Sequence, residues 1–104
     1  MKISNYTSPV VTVVIAAHNE EKFIGRCIRS ILSQNFPRSL FKIMVINDDS
    51  SDRTSYALEL FKEDLKIINN SKNIGLPASL NKAIHCIKTP YFVRVDADDF
   101  VSSN

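Results

Sequence analysis

Residues 10–17 read Val-Val-Thr-Val-Val-Ile-Ala-Ala, an almost unbroken run of apolar and mostly β-branched side chains. Such side chains favour strands, because they pack well on a pleated surface. The run does not alternate with polar residues, which indicates a strand buried on both faces. A strand of this kind is typical of a parallel sheet with helices on both sides.

Three further strand-like segments follow, and helical patterns separate them. The strands are predicted at residues 42–47, 65–69 and 91–96. The helices are predicted from apolar positions at helical spacing, which are Ile24, Cys27, Ile28, Ile31 and Leu32, then Tyr56, Ala57, Leu60 and Phe61, then Leu80, Ala83, Ile84 and Ile87. The order β-α-β-α-β-α-β predicts an α/β protein with a Rossmann-like, doubly wound parallel sheet and strand order 3-2-1-4.

Helix-start signals and the cysteines give more local predictions. Asn19 is predicted to cap the first helix, with Glu20 and Glu21 in its first turn, where the helix dipole favours anions. Cys27 and Cys86 lack metal-ligand spacing and fall on predicted helices, so both are predicted to be buried free thiols in a reducing compartment.

Size and charge limit the classes of protein to which the chain can belong. A chain of 104 residues with 44% hydrophobic residues is predicted to be one domain. Its net charge of +2 and scattered basic residues argue against a nucleic-acid partner. The apolar run at residues 13–17 is too short to cross a bilayer, which predicts a cytoplasmic protein, at a membrane face only if further sequence anchors it. Residues 1–8 have no pattern and are expected to form a loose terminus.

Three carboxylates follow the fourth predicted strand, in the stretch Val95-Asp96-Ala97-Asp98-Asp99. Asp is depleted in strands, so the stretch marks the end of the strand. Like charges this close raise one another's pKa unless a positive charge lies among them. Because carboxylate oxygens suit hard cations, the stretch predicts a site for Mn²⁺ or Mg²⁺ that serves a phosphate-bearing ligand. A solvated acidic turn is the alternative interpretation.

Polar segments at residues 17–20, 47–49 and 96–99 follow three strands that are predicted to end at one edge of the sheet. In doubly wound sheets, ligands bind at that edge, where the strand order reverses. The chain has only two glycines and neither G-x-G-x-x-G nor G-x-x-x-x-G-K-[ST], which disfavours a dinucleotide fold or a P-loop. Phosphate must then be held through a cation, as suits a nucleotide diphosphate leaving group.

Five motifs, in order along the chain, resemble those of family-2 glycosyltransferases with the GT-A fold. Residues 11–21 resemble the family's first strand and its P-x-Y-N-E-E turn, and residues 30–37 resemble S-I-L-x-Q-x-x-P. Residues 45–52 stand where the family has V-V-D-D-G-S-T-D, residues 73–81 resemble N-x-G-x-x-x-A-R-N, and residues 96–99 match D-A-D-D. The resemblance implies the N-terminal, nucleotide-sugar-binding half of the fold, so residues 1–104 are expected to form a single, partial donor-binding domain.

The resemblance also implies roles for individual residues. Asp48 would accept a hydrogen bond from the nucleobase, most often uracil, and Glu20 would help to fix the ribose. Asp96 would hold the ribose or the sugar phosphate region, and Asp98 would ligate the divalent metal. His18 stands where the family usually has a Tyr that packs on the base; a capping or surface role for His18 is the alternative.

Several positions depart from the family pattern. Ala16, counted with the substrate-binding residues, replaces the customary Pro, and Asn47 replaces the first Asp of its motif. Leu80 occupies the position of the family's Arg, which removes one positive charge near the donor. Arg94 is predicted to replace that charge, because an unpaired guanidinium in a central strand would be costly. An ion pair of Arg94 with Asp48 or Asp96 is the alternative.

The leading hypothesis is a metal-dependent glycosyltransferase that moves a sugar from a nucleotide-diphosphate donor, such as a UDP-sugar, to a glycan, lipid or protein acceptor, with inversion as the family implies. A non-catalytic nucleotide-sugar-binding module, or an inactive fragment without the acceptor half, is the second hypothesis. No catalytic base is identifiable, since in the family it comes later in the chain. A phosphoacceptor domain ranks last, because residues 17–19 lack the acidic pair that it needs. Self-association through the edge of the fourth strand is also expected.

Overall fold

A computed structural model describes residues 9–99 of the chain. Its strands are β1 (Val11–Ala17), β2 (Phe41–Asn47), β3 (Leu65–Asn69) and β4 (Tyr91–Arg94). Its helices are α1 (Ile24–Leu32), α2 (Thr54–Glu59) and α3 (Leu76–Ile84), and a short 3₁₀ turn at Arg38–Leu40 leads into β2. The loose terminus expected at residues 1–8 lies outside the described residues.

The four strands form one parallel sheet in the order β3-β2-β1-β4, which confirms the predicted fold class and strand order. β1 pairs along its whole length with β2, from Val11 opposite Phe41 to Ala17 opposite Asn47. β4 pairs only with the first four residues of β1, from Val11 opposite Tyr91 to Val14 opposite Arg94. The upper part of β1 therefore lies beside the segment that follows β4.

The core has two layers, one on each face of the sheet. Ile15 packs with α1, α2 and Ala97, whereas the neighbouring Val14 packs with Met44, Ile46 and Ala83 on the side of α3. Val14 and Ile15 are both buried, as expected of a strand covered on two faces. Within residues 9–99 no helix has the length and apolar character needed to cross a membrane.

The start of α1 differs from the prediction. α1 begins at Ile24 rather than after Asn19, and Asn19 has a φ of 54°, outside the helical region. The Asn19 side chain accepts hydrogen bonds from the backbone N–H groups of Ser51 and Asp52 instead of capping α1. The capping signal was wrong because a loop distant in sequence supplies better-placed donors.

The apolar face predicted for the second helix is correct only in part: Ala57 and Phe61 pack against the core, but the fully buried side chain is that of Leu58, which was not predicted. Leu58 is 1% exposed, whereas Tyr56 and Leu60 are 75% and 84% exposed. α2 is only six residues long, so few of its positions face the sheet. The predicted burial of Cys86 was also wrong, because this exposed residue lies in the turn beyond α3; Cys27 is buried as predicted.

The fourth strand ends at Arg94, two residues earlier than predicted, and all four of its residues are exposed. Within the described residues β4 forms one edge of the sheet, so Arg94 is not the central-strand guanidinium that was predicted. Nor does any ion pair between described residues join Arg94 to Asp48 or Asp96. An edge position leaves the guanidinium in water, which removes the cost that the prediction relied on.

Candidate functional site

The loops that follow the four strands lie together at the carboxyl edge of the sheet. Nδ1 of His18, after β1, lies 2.7 Å from the carbonyl oxygen of Asp48, after β2. The side-chain amide of Asn73, after β3, lies 3.1 Å from Nε2 of His18. Arg26 of α1 donates to the carbonyl oxygen of Asp98, after β4, at 3.3 Å. The polar segments singled out in the sequence are therefore neighbours.

Asp48 lies at the centre of this edge, and its side chain is completely buried. Its Oδ1 accepts hydrogen bonds from the side-chain amide of Asn70 and the backbone N–H of Ile74, each at 2.9 Å. Its Oδ2 accepts a hydrogen bond from the backbone N–H of Gly75 at 2.8 Å. Gly75 has a φ of 89°, a conformation that glycine adopts without strain. Asp48 thus fixes the segment of residues 70–75 to the end of β2.

The surroundings of Asp48 favour its charged form. Burial by itself raises the pKa of a carboxyl group, because it removes water from the charge. Here the hydrogen bonds from Ile74, Asn70 and Gly75, together with the nearby His18, outweigh burial and lower the pKa of Asp48. The carboxylate is therefore ionised, and both of its oxygens have protein donors, before any ligand arrives.

A second layer of polar groups orients the Asn70 amide that contacts Asp48. The nitrogen of this buried amide also donates to the hydroxyl of Ser79, at 3.0 Å, and its oxygen accepts from Nζ of Lys82, at 2.7 Å. Both partners belong to α3, so the helix and the site share one hydrogen-bond network. Sequence analysis missed Asn70 and Lys82, although Asn70 directly follows a strand that ends at the same edge.

The hydrogen bonds of His18 fix its ring. A carbonyl oxygen can only accept, so we assign the proton to Nδ1, which donates to the carbonyl of Asp48. Nε2 is then free to accept from the side-chain amide of Asn73. The half-buried ring bridges the loop after β1 to the segment of residues 70–75. His18 thus has hydrogen-bond partners on two loops.

The loops after β1 and β2 are joined by a further set of hydrogen bonds. The backbone N–H of Glu20 donates to the hydroxyl of Thr54 at 2.8 Å, and that of Glu21 donates to Asp52 at 3.2 Å. Burial opposes ionisation of Asp52, but hydrogen bonds from Thr54 and Glu21 outweigh it and lower the pKa of Asp52. Asp52 also accepts from the backbone N–H of Thr54 at 2.9 Å, so it fixes the start of α2.

Asp96, Asp98 and Asp99 form an acidic cluster of exposed side chains. One carboxylate oxygen from each residue lies within 4.8 Å of the other two. The turn closes with a hydrogen bond from the Asp99 backbone N–H to the Asp96 carbonyl oxygen, at 2.9 Å. Within residues 9–99 no group donates a hydrogen bond to these carboxylates. The acidic cluster therefore differs from Asp48, which has protein donors on both oxygens.

The donor set of the acidic cluster suits a hard divalent cation. Mg²⁺ and Mn²⁺ prefer carboxylate oxygens, and opposite ligands of Mg²⁺ stand about 4.2 Å apart. Exposed side chains within 4.8 Å of one another reach that spacing by small changes of rotamer. The residues present fit such an ion.

The field of the acidic cluster reaches neighbouring groups. Burial first, and then the charges of Asp98 and Asp52, raise the pKa of Glu20 against the opposing effect of His18. Burial and the three carboxylates of the acidic cluster raise the pKa of the Cys27 thiol to about 11, in spite of Arg26. Cys27 Sγ lies 3.5 Å from the carbonyl oxygen of Asp96, so it supports the turn as a protonated, inert thiol.

Two further candidates occupy simpler positions. Ala16 is half-buried near the end of β1, opposite Ile46 of β2. Arg94 ends β4 opposite Val14, two residues before Asp96, and its side chain is exposed. Leu80, at the position of the family's Arg, packs against the core layer beneath α3. His85, the C-cap of α3, is exposed.

Comparison with known proteins gives consistent matches. The family described as Glycosyl transferase family 2 matches residues 12–104. An uncharacterized glycosyltransferase of Haemophilus influenzae is 43% identical over 94 residues, which cover 88% of this chain and 28% of the relative. A crystal structure of S. aureus TarS in complex with UDP has a TM-score of 0.84 and 28% identity, covering 89% of this chain and 28% of that one.

A second solved structure is a mannosyltransferase from Pyrobaculum calidifontis in complex with GDP-Man and Mn²⁺. It has a TM-score of 0.82 and 27% identity, covering 92% of this chain and 29% of that one. The chain thus spans under a third of the length of these relatives. Because the family match extends over nearly the whole sequence, as the motifs indicated, the chain belongs to glycosyl transferase family 2.

Proposed function

We propose that this chain is the donor-binding part of a glycosyltransferase that moves a sugar from a nucleotide-diphosphate donor to an acceptor. One observation carries the proposal: a buried, hydrogen-bonded group around Asp48 and an exposed acidic cluster lie at the same edge of one parallel sheet. The first suits a nucleoside and the second suits a metal-bound diphosphate. Inversion at the transferred sugar is proposed from the family resemblance.

The nucleoside is proposed to bind beside Asp48 and His18, with Glu20 near the ribose. Asp48 uses three of its roughly four lone-pair positions on protein donors, which leaves one on Oδ2 for a donor such as the N–H of uracil. Because the carboxylate is buried, such contact requires the segment of residues 70–75 to move. The fixed ring of His18 offers a flat face on which a base can stack.

The diphosphate is proposed to bind at the acidic cluster, with Asp98 as a metal ligand, Asp96 near the ribose or phosphate, and Arg94 as a direct cation. Bound Mn²⁺ or Mg²⁺ would neutralise charge on the diphosphate as it leaves. The TarS complex with UDP and the mannosyltransferase complex with GDP-Man and Mn²⁺ support a nucleotide ligand at this fold. We favour a UDP-sugar because of the role that the resemblance gives to Asp48.

A catalytic base is the part that the described residues do not supply. A base must lie within about 2.6–3.2 Å of the acceptor hydroxyl. Asp52 is held by Thr54 and Glu21, and Asp99 belongs to the acidic cluster. Asp49, the remaining aspartate among those that follow β2 and β4, lies in the turn after β2 with a φ of 51°. We therefore propose that this chain binds donor without transferring sugar, and that the acceptor half supplies the base.

A reducing compartment agrees with this proposal. Cys27 and Cys86 are both free, and free thiols are usual in cytoplasmic proteins. We propose a cytoplasmic location, where the donor would be met.

Thermal shift with a panel of nucleotides tests the function. With Mn²⁺ present, UDP should raise the melting temperature of the chain more than GDP or ADP does, because a ligand that binds only the folded state stabilises it. Asp98→Asn should abolish the UDP shift, whereas Asp49→Asn should leave it unchanged. An equal response to every nucleotide, or none, would contradict the proposal. Turnover of UDP-sugar and acceptor by the chain alone would contradict the assignment of the base to another segment.

A further inference from the structure

A separate cavity lies at the amino edge of the sheet, opposite the candidate site. Its volume is about 240 Å³, and it lies between the sheet and the connection from α3 to β4. Its lining consists of Thr12, Lys42, Ile43, Met44, Lys66, Cys86, Ile87, Lys88 and Thr89. Most of the lining residues that belong to strands lie within two residues of the start of their strand, namely Thr12, Lys42, Ile43 and Lys66. The candidate site, in contrast, follows the strand ends. The two sites are therefore distinct.

Three lysines from three parts of the fold converge on this cavity. Lys42 belongs to β2, Lys66 to β3 and Lys88 to the connection before β4, and no acidic residue joins them in the lining. Among the described residues none of the three has an ion-pair partner. The lining of the cavity therefore carries a formal charge of +3 and includes no carboxylate; two acids, Glu63 and Asp64, line a neighbouring cavity that Lys42 and Lys66 also border.

The sheet register places two of these lysines on the same face. Lys42 lies opposite Thr12, and Lys66 lies opposite Met44, two residues along β2 from Lys42. Diagonal neighbours on adjacent strands are about 7–8 Å apart, within reach of long side chains. Like charges at that separation repel one another, so an anion between them would relieve the repulsion.

The rest of the lining limits what the ligand can be. The hydroxyl of Thr89 donates to the carbonyl oxygen of Tyr91, so the hydroxyl of Thr12 must donate to Thr89, at 2.6 Å. Both hydroxyl protons are thus used, and the ammonium groups remain as donors. The floor includes the apolar side chains of Met44 and Ile87. Drug-sized ligands occupy about 300–1,000 Å³, so this volume suits a smaller anion.

We propose that this cavity binds a phosphate group, held by Lys42, Lys66 and Lys88. Ammonium groups are common ligands of phosphate, to which they present point charges without a fixed geometry. The group comes either from free phosphate or from the headgroup of an anionic phospholipid; the chemistry at the cavity is the same. The apolar floor accommodates the first carbons attached to a phosphodiester.

Titration calorimetry of inorganic phosphate into the 104-residue chain tests the proposal, at low salt and with EDTA. Without metal the acidic cluster repels phosphate, so binding at the candidate site does not contribute. We expect one saturable site, and we expect Lys66→Gln to weaken it by about tenfold or more, the effect of one charge-assisted hydrogen bond. Lys62→Gln is the matched control, since Lys62 has the same charge but pairs with Glu59 at 3.3 Å. The phosphate affinity of this variant should differ from that of the wild type by less than about twofold.

Flotation with vesicles separates the two sources of phosphate. Capture by phosphatidylglycerol vesicles but not by phosphatidylcholine vesicles, lost in Lys66→Gln and kept in Lys62→Gln, would assign the site to a lipid headgroup. Phosphate binding without capture would assign it to free phosphate. Melting temperatures of both variants confirm that they fold. Equal weakening by the two variants, or neither phosphate binding nor vesicle capture, would show that the lysines only cover the apolar floor, and would overturn the proposal.

Discussion

The two halves of the candidate site treat their carboxylates in opposite ways. Around Asp48 the protein supplies every partner: three hydrogen bonds satisfy the buried carboxylate and lower its pKa. In the acidic cluster three exposed carboxylates lie close together without donors from the described residues. The difference indicates that one half is complete as folded, whereas the other is completed by what binds. Stability should therefore depend on the first half, and metal-dependent affinity on the second.

The largest expected effect is on UDP affinity when the acidic cluster is changed. Loss of a residue that only supports a metal ligand costs about 10–100-fold in metal affinity. Because Asp98 is proposed as a ligand itself, Asp98→Asn should weaken Mn²⁺-dependent UDP binding by at least about a hundredfold. The melting temperature should not fall, because the change removes one of three repelling charges. Fluorescence titration with a labelled nucleotide and a thermal melt measure the two quantities. If Asp98→Asn lowered the melting temperature strongly and left the UDP affinity unchanged, the acidic cluster would be the stabilising half of the site, against this account.

The second effect is on stability and concerns Asp48. In Asp48→Asn an amide N–H would face the backbone N–H of Gly75, so one buried donor loses its acceptor. We expect the free energy of unfolding to fall by about 2 kcal/mol, or roughly 10 °C in melting temperature. Asp49→Asn is the control, because Asn tolerates the φ of 51° at this exposed position. Chemical denaturation of both variants measures the difference; equal losses would remove Asp48 from its special role.

Asp48→Asn also tests whether Asp48 contacts the nucleoside directly. If Asp48 contacts the base, Asp48→Asn should weaken uridine binding even at temperatures where the variant is fully folded. If Asp48 acts only by fixing the segment of residues 70–75, uridine affinity should follow stability instead. Uridine titrations at two temperatures below the melting transition separate these outcomes.

A smaller effect is expected from Arg94, which ends β4 two residues before the acidic cluster begins. If it contacts the diphosphate, Arg94→Leu should weaken UDP binding by about tenfold, since a charge-assisted contact is worth about 1.5–3 kcal/mol. Uridine, which has no phosphate, serves as the ligand control and should bind equally well to both proteins. Equal losses for UDP and uridine would mean that the substitution disturbs the site as a whole.

Acid should weaken the half of the site that contains Asp48. The pKa values of Asp48 and Asp52 are lowered on folding, so their stabilisation is present above the unfolded value of 3.8 and is lost as the pH falls through the folded values. The raised pKa of Glu20 acts in the opposite direction, because folding then favours the protonated form. The stability difference between wild type and Asp48→Asn should be constant near neutral pH and should shrink below about pH 4. A difference that persists in acid would contradict this account.

The smallest expected effect concerns the edge of the sheet. Tyr91, Phe92 and Val93 of β4 are between 47% and 69% exposed, and an exposed apolar edge invites pairing with another strand. We expect the chain to self-associate at high concentration, and Val93→Lys to shift it towards monomer. Sedimentation velocity measures this; a wild-type chain that stays monomeric would remove β4 as a contact surface.

The strands and their order could be predicted because their signal lies in continuous apolar runs. The predicted β3 matches Leu65–Asn69, and β1 and β2 differ from their predictions by one residue at the start. The predicted β4 extended two residues too far, because β4 pairs with only the first four residues of β1 and ends at Arg94. The predicted strand order already placed β4 at an edge of the sheet, so the central-strand environment assumed for Arg94 was inconsistent with that order and was wrong.

The contacts within the site depended on groups far apart in sequence. Asn19 bonds the loop after β2, about 32 residues away, rather than its own helix. Asn70 donates directly to Asp48, and Lys82 of α3 donates to Asn70; both lie outside every motif that was recognised. Motifs identify which loops meet, whereas the pairing of donors with acceptors follows from packing. The acidic cluster was the exception, because its three residues are almost adjacent in the chain.

The central claim is that the nucleoside half of the site is held by hydrogen bonds within the protein and needs no metal, whereas the diphosphate half is completed by a cation. Titration calorimetry of UDP and of uridine, each with Mn²⁺ and with EDTA, tests it most directly. The account predicts that uridine binds weakly and equally in both conditions, whereas UDP binds tightly with Mn²⁺ and no better than uridine in EDTA, because the acidic cluster then repels the diphosphate. UDP binding of equal strength with Mn²⁺ and with EDTA would contradict the claim.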